Sequence, residues 1–448
     1  MPHAGDAIPS TLAHPRAGHF WLAVVLTGIG TGVAAVALTR LLEVVQSLMW
    51  NGSGTDLLDA ARRAGAWRHI LVLLGAGIVT GAGQFVLRHL SSGNGIDTTA
   101  AIWFYAGRMP ALRTLGSAVL SVVIVGMGAA LGREGAPKQA GAVMANLFSD
   151  KARLSDEQRR LLVACGAGAG MAAAYGVPLG GALFALEVMR GVLALRYVLP
   201  ALFASLVATA VSWLALPDAP TYRIPGYASS PSSMVWALVA GPIAGVVSVF
   251  YVRAVTWADR NKPEGWRRLA APVLVLGLLG AVSIPFPQLL GNGKDISQLA
   301  FTNLAAPSLL LILLALRPLA TVLCIQCGAP GGLFTPSLTV GALLGAVLGH
   351  AWSWFWPGVP PGLFALLGAS AVLAASTQGP ISTVVLMMEL TGRDRSFIVP
   401  LMLAVGTATL VARTIEPRSI YDARLTDEEV EARRKLRELP PQPAPLKT

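Results

Sequence analysis

The chain has 448 residues, 54% hydrophobic and 13% charged, with a mean hydropathy of +0.62. A soluble domain carries about 25% charged residues, so the composition excludes an ordinary soluble protein and points to one that lives in lipid. The 34 Lys and Arg exceed the 23 Asp and Glu by 11 without marking a nucleic-acid binder. Residues 413–448 hold 15 of the 57 charged side chains in near balance, eight basic and seven acidic. The basic excess lies in short connections between apolar segments, where positive residues mark the cytoplasmic side.

Residues 1–16 read as an N-terminal cytoplasmic segment. Uncharged stretches follow at 17–39, 71–87, 114–132, 161–186, 197–217, 224–252, 269–293, 296–316, 318–388 and 396–412. The first is too long for the apolar region of a cleavable signal peptide and is followed by more of its kind, so it reads as a spanning helix. A hydrocarbon core about 30 Å thick takes about 20 residues per helix. The 71 uncharged residues of 318–388 therefore hold several helices, with breaks expected at 328–332, 357–362 and 378–380. The 48 Gly and 30 Pro recur inside the apolar stretches as well as between them. Broken helices are tolerated at membrane depth where they are buried or line a water-filled cavity, and they point to a transport pathway. Trp352, Trp354, Phe355 and Trp356 read as an interfacial belt. After 412 come a final half-helix and a charged cytoplasmic tail, in which Asp427, Glu428 and Glu429 precede Arg433, Arg434 and Lys435 as in a solvated helix that frays.

An internal repeat organises the whole. Gly166-Ala167-Gly168-Ala169-Gly170-Met171-Ala172-Ala173 returns 202 residues later as Gly368-Ala369-Ser370-Ala371-Val372-Leu373-Ala374-Ala375, with Pro178 matched to Pro380 and Glu187 to Glu389. At an offset of 200, Gly132 matches Gly332 and Gly141 matches Gly341. This divides the chain into a first membrane repeat, 17–217, and a second, 218–412, with the 413–448 segment beyond. Substrate sites of repeated transporters lie where corresponding broken helices meet. The spacing leaves open whether the repeats run parallel or inverted.

Three glycine-rich segments stand where helices would begin at membrane depth: Ser92-Gly93-Asn94-Gly95-Ile96, Gly132-Arg133-Glu134-Gly135-Ala136 and Gly331-Gly332-Leu333-Phe334-Thr335-Pro336. A helix N-terminus offers about half a positive charge and unpaired N–H donors. Converging ends make an anion site that needs no fully charged cation, which would hold the ion too tightly to release it. Glu134, an ionisable residue between glycines in an apolar region, is the sharpest functional candidate. Its carboxylate can occupy an anion site as a tethered competitor and leave on protonation. The competing reading pairs it with Arg133, or with Lys138 at i+4, as a capping ion pair. Cys324 and Cys327 have metal spacing but no accompanying Cys or His pair. No metal, cofactor or catalytic constellation of an enzyme is expected.

These segments resemble the CLC family of chloride channels and anion/proton antiporters, whose signatures read G-S-G-I-P, G-R-E-G-P and G-x-F-x-P. Tyr421, in Pro417-Arg418-Ser419-Ile420-Tyr421, resembles the tyrosine whose hydroxyl the family places on the central anion. The resemblance implies an all-α polytopic membrane protein built from two inverted-topology repeats with many short, tilted helices. It also implies a homodimer with one anion pathway per subunit, joined through the helices after Pro178 and Pro380. Glu134 would be the gate, and Asn94, Gly135, Leu333, Phe334 and Tyr421 would surround a small inorganic anion, with chloride the default.

The departures shape the expected mechanism. Asn94 replaces the serine whose position affects selectivity in the family, which raises fluoride or nitrate as alternative ions. Asp97 and Ala136 stand where the first two signatures have proline. Proton-coupled members carry an internal glutamate at the position of Val188. Its loss favours channel-like conduction over chloride/proton exchange, with neighbouring Glu187 a weak substitute on a proton path. Glu187 recurs as Glu389, so it is read mainly as structural, pairing with an arginine such as Arg190 or Arg393. A bacterial inner membrane with both termini cytoplasmic is the expected location.

Overall fold

The computed structural model describes residue 8 and residues 17–51, 56–90, 97–393, 395–423 and 425–438. Among these are eighteen α-helices and no β-strand. Seven helical segments have the length and apolarity to cross a bilayer: Ala17–Trp50, Ala66–His89, Leu195–Trp213, Pro231–Arg260, Pro307–Gln326, Phe334–Phe355 and Ile398–Asp422. The apolar helices Ala111–Gly126, Pro361–Thr377 and Pro380–Thr391 are shorter. The protein is an all-α integral membrane protein.

The charge-free run breaks where its glycines and prolines predict. Helix Pro307–Gln326 ends at Gly328, whose φ of +92° reverses the chain. Gln378, at φ +57°, closes helix Pro361–Thr377, and Pro380 opens the next in the first turn, where its missing N–H costs nothing. Prolines at 200, 242, 272 and 318 lie inside helices, which neighbouring segments can support in a membrane protein.

The repeat seen in sequence returns as packing. Helix Gly135–Lys151 lies on Asp156–Tyr175, and Phe334–Phe355 lies on Pro361–Thr377. The first pair crosses at Gly141 and Gly166, where a methyl group on either would overlap the other's carbonyl oxygen; the second crosses at Gly341 and Gly368 in the same way. Small residues let backbones approach where lipid supplies no hydrophobic force between helices. Likewise Ala17–Trp50 packs on Leu195–Trp213, and Pro231–Arg260 on Ile398–Ile415. The two halves touch at an isolated antiparallel bridge, Gly132 and Gly332 donating N–H to each other's carbonyl at 2.8 Å.

The tail differs from the freely solvated helix expected. Helix Asp427–Glu438 folds back, and Arg433 is only 2% exposed. Its guanidinium pairs with Asp422, donates to the Val188 carbonyl at 2.9 Å and lies 5.0 Å from the centre of the Trp103 ring. Asp427 pairs with Arg260 at 2.7 Å and also with Arg418. The tail is anchored because a buried acid beside Tyr421 requires a cation, a need that local sequence does not display.

Candidate functional site

Gly128 and Gly328, at φ +113° and +92°, end two helices 200 residues apart and turn the chain inward. The loops that follow meet at the Gly132–Gly332 pair. This sets the starts of helices Gly135–Lys151 and Phe334–Phe355 side by side at the centre of the fold. A Cβ on Gly132 or on Gly332 would overlap the Glu134 carboxylate where it now lies, and on Gly332 it would also crowd the Gly135 nitrogen.

Glu134 is 2% exposed and belongs to one half while its carboxylate is bound by the other. Oε1 accepts the N–H of Phe334 at 2.7 Å and that of Thr335 at 3.4 Å, and Oε2 accepts the Thr335 hydroxyl at 3.0 Å. The Tyr175 hydroxyl lies 3.3 Å from Oε2 and 2.9 Å from Thr335 Oγ1. A carboxylate thus sits at the positive end of the second-half helix, on donors suited to a free anion. The capping ion pair with Arg133 is not what holds it: the Arg133 guanidinium lies over the Tyr175 ring, 4.9 Å from its centre. Tyr175 was missed in the sequence because nothing local marks a helix-ending tyrosine as a neighbour of residues 134 and 335.

The chain neighbours of Glu134, Arg133 and Gly135, line two different spaces. One is a cavity of about 730 Å³ whose walls include Arg133, Tyr175, Arg223, Lys294 and Asp295. The other, of about 40 Å³, is bounded by Gly135, Gly332, Leu333, Lys138 and Tyr421. The smaller one exceeds the 10–15 Å³ or so that a water molecule needs. The Tyr421 ring packs edge-on against Phe184 with centroids 5.5 Å apart, and its buried hydroxyl has no hydrogen-bond partner among the described residues.

Gly135, Leu333 and Tyr421 line one cavity. The Phe334 N–H assigned to the ion is taken by Glu134, so candidate gate and candidate ion site overlap. Asn94, with Gly93, Gly95 and Ile96, lies outside the described residues. Asp97 caps helix Thr98–Phe104, accepting the Thr99 N–H at 2.8 Å, and also lines the smaller cavity. Lys138, 8% exposed, lies on the same cavity wall, its Nζ 4.4 Å from the Tyr421 ring centre.

The arginine pairing expected for Glu187 is also corrected. Arg190 binds Glu157 at 2.6 Å, and Arg393 donates to the Ile224 carbonyl at 2.5 Å. The Glu187 carboxylate instead accepts the N–H groups of Ile381 and Ser382 at 3.1 and 2.6 Å. Val188 is buried, and its carbonyl is held by Arg433.

The model of the voltage gated chloride channel family matches residues 75–413, well over half of the chain. The chain belongs to this family. It is 28% identical over 421 residues to the voltage-gated ClC-type chloride channel ClcB of Citrobacter koseri, covering 89% of this chain and 97% of that one. To the H(+)/Cl(-) exchange transporter ClcA of Vibrio parahaemolyticus it is 32% identical over 312 residues, 66% of each chain. It spans about half, 53%, of the Arabidopsis thaliana chloride channel protein CLC-f, with 29% identity. The crystal structure of a slow cyanobacterial Cl-/H+ antiporter shares the fold, with a TM-score of 0.79 at 22% identity over 95% of this chain and 99% of that one.

Proposed function

We propose that this protein carries chloride or a similar small anion across a bacterial inner membrane, along one pathway in each subunit of a homodimer, with Glu134 as the gate. The observation that carries the proposal is the buried Glu134 carboxylate on the Phe334 N–H, with a cavity at each of its chain neighbours Arg133 and Gly135. In this reading the carboxylate stands in for the anion. Protonation removes its charge and its claim on the donors, the side chain swings away, and an anion takes the place on backbone dipoles with Gly135, Leu333, Phe334 and Tyr421 around it. Residues 17–217 and 218–412 serve as the two membrane repeats, with both termini cytoplasmic.

Two modes share this gate. Val188, an apolar side chain where proton-coupled relatives carry a glutamate, supports uncoupled conduction. Proton exchange is supported at least as well, because ClcA and the cyanobacterial structural neighbour are named as exchangers and Glu134 is itself a proton acceptor. Liposomes containing the purified protein, loaded with chloride and placed in an outward gradient, test both when external anion and pH are recorded together. Anion release without proton movement supports the channel mode; protons driven uphill establish exchange. Absence of flux for chloride, fluoride and nitrate would sink the transport reading.

A further inference from the structure

Helices Ala66–Leu90 and Arg267–Val282 pack so closely that a Cβ on Gly77 would fall 2.5 Å from the Val273 Cα. Each keeps apolar side chains exposed: Leu71, Ile78 and Phe85 recur along one face of the first, and Leu274 and Leu278 lie a turn apart on the second. Where the first helix ends and the second begins there is a cavity of about 480 Å³, a size within the range of about 300–1,000 Å³ typical of small-molecule sites. Arg88, His89 and Arg268 stand on its wall with exposed Trp266, and among the described residues no Asp or Glu lines it. Lys262 on the same wall pairs with Asp259 at 2.5 Å, and Glu264 is exposed and off the wall. The Gln84 amide, which donates to the Gly328 carbonyl at 3.3 Å, ties the first helix to the turn that bounds the cavity.

The cavity opens at the face that carries the tail. Helix Pro231–Arg260 ends there, its Arg260 on Asp427 at 2.7 Å, and residues 262–268 follow directly in the chain. Tryptophan at the end of a membrane helix sits at headgroup depth, and basic pockets between membrane helices take acidic headgroups. We propose that this cavity binds an anionic phospholipid of the tail-side leaflet, with its phosphate on Arg88 and Arg268 and its acyl chains along Phe85 and Leu269. A soluble phosphate would use the arginines and leave Phe85, Trp266 and Leu269, all exposed on the same wall, without a partner. A zwitterionic lipid would bring a choline or ethanolamine cation to a wall with no carboxylate to receive it. The site does not depend on the transport reading and stands whether or not the protein moves an ion.

Native mass spectrometry of the purified full chain, titrated in detergent with phosphatidylglycerol or with phosphatidylcholine, is the test. Wild type should retain phosphatidylglycerol in preference. The double variant Arg88→Gln, Arg268→Gln should weaken that retention about tenfold or more, equivalent to about 1.4 kcal/mol, while Arg88→Lys with Arg268→Lys, which keeps both charges, should hold it. Equal retention of the two lipids by wild type, or unchanged retention in the glutamine variant, overturns the proposal. So does displacement of the bound lipid by millimolar inorganic phosphate, which would make the cavity a site for a soluble anion. If the glutamine variant does not fold, a cryo-electron microscopy map of wild type in phosphatidylglycerol nanodiscs decides: headgroup density between Arg88 and Arg268 supports the site, and none there overturns it.

Discussion

Glu187 and Glu389 hold each other's halves. The Glu187 carboxylate accepts the N–H groups of Ile381 and Ser382 at 3.1 and 2.6 Å, and Glu389 accepts those of Leu179 and Gly180 at 3.0 and 2.7 Å. Each residue lies toward the end of the segment opened by Pro178 or Pro380 and caps the start of its counterpart. Replacing either with alanine leaves two N–H donors unserved, and hydrogen bonds to charged groups contribute about 1.5–3 kcal/mol each. Glu187→Ala and Glu389→Ala should therefore lower stability by comparable amounts, about 2 kcal/mol or more, in detergent unfolding. A Glu187 variant that loses proton coupling with no loss of stability would show a proton-path role instead.

Neutralising Glu134 separates gate from scaffold. In the proposed function the carboxylate competes with the anion only when ionised, so wild-type flux should rise as external pH falls. Glu134→Gln should move anions at a rate that no longer depends on pH. A variant whose flux keeps the wild-type pH profile would show that another group does the gating.

The glycine opposite the gate supplies an independent check. A methyl group at position 132 strikes the Glu134 carboxylate and should push it off the Phe334 N–H, so Gly132→Ala should destabilise the protein by about 1–3 kcal/mol, the cost of a buried donor left unserved. Combined with Glu134→Ala the cost should fall by more than half, because residues in contact are not additive. Purely additive unfolding free energies would show that the two do not share space.

Arg433 should be costly to lose. Its buried partner Asp422 also accepts from the Ser419 N–H and hydroxyl at 3.0 and 2.8 Å, in the turn that carries Tyr421. Removing one member of a buried pair costs about 3–5 kcal/mol, largely because the other charge is stranded. Arg433→Ala should thus speed hydrogen exchange across residues 419–423, and adding Asp422→Asn should recover part of the protection. Unchanged exchange in Arg433→Ala would mean that the tail does not secure Tyr421.

These relationships show what the sequence discloses. The breaks of the 318–388 run were legible because Gly and Pro act locally on the backbone, and Glu134 stood out as a charge where charge is scarce. The 200 and 202 residue offsets revealed the two-part plan, since equivalent backbone crossings need small residues in both copies. The partners of Glu187 were not legible. Charge counting looks for arginines, whereas its donors are backbone N–H groups 194 and 195 positions away. Tyr175 was missed and Arg433 was read only as a charge of a solvated tail for a related reason: each acquires its setting when distant segments converge.

The pair of hydrogen bonds between Gly132 and Gly332 has a mechanical consequence. Tying the two loop tips together at 2.8 Å in both directions leaves neither free to travel without the other, so the scaffold around the barrier behaves as one rigid body. The part left to move is a handful of atoms beyond the Cα of Glu134. Side-chain rotation takes picoseconds to nanoseconds when unhindered, against microseconds to milliseconds for collective helix motions. With Glu134 as the proposed gate, permeation is expected to be paced by charge and proton occupancy, not by swinging domains, and crystals of the Glu134→Gln protein should superimpose on wild type everywhere but at that side chain.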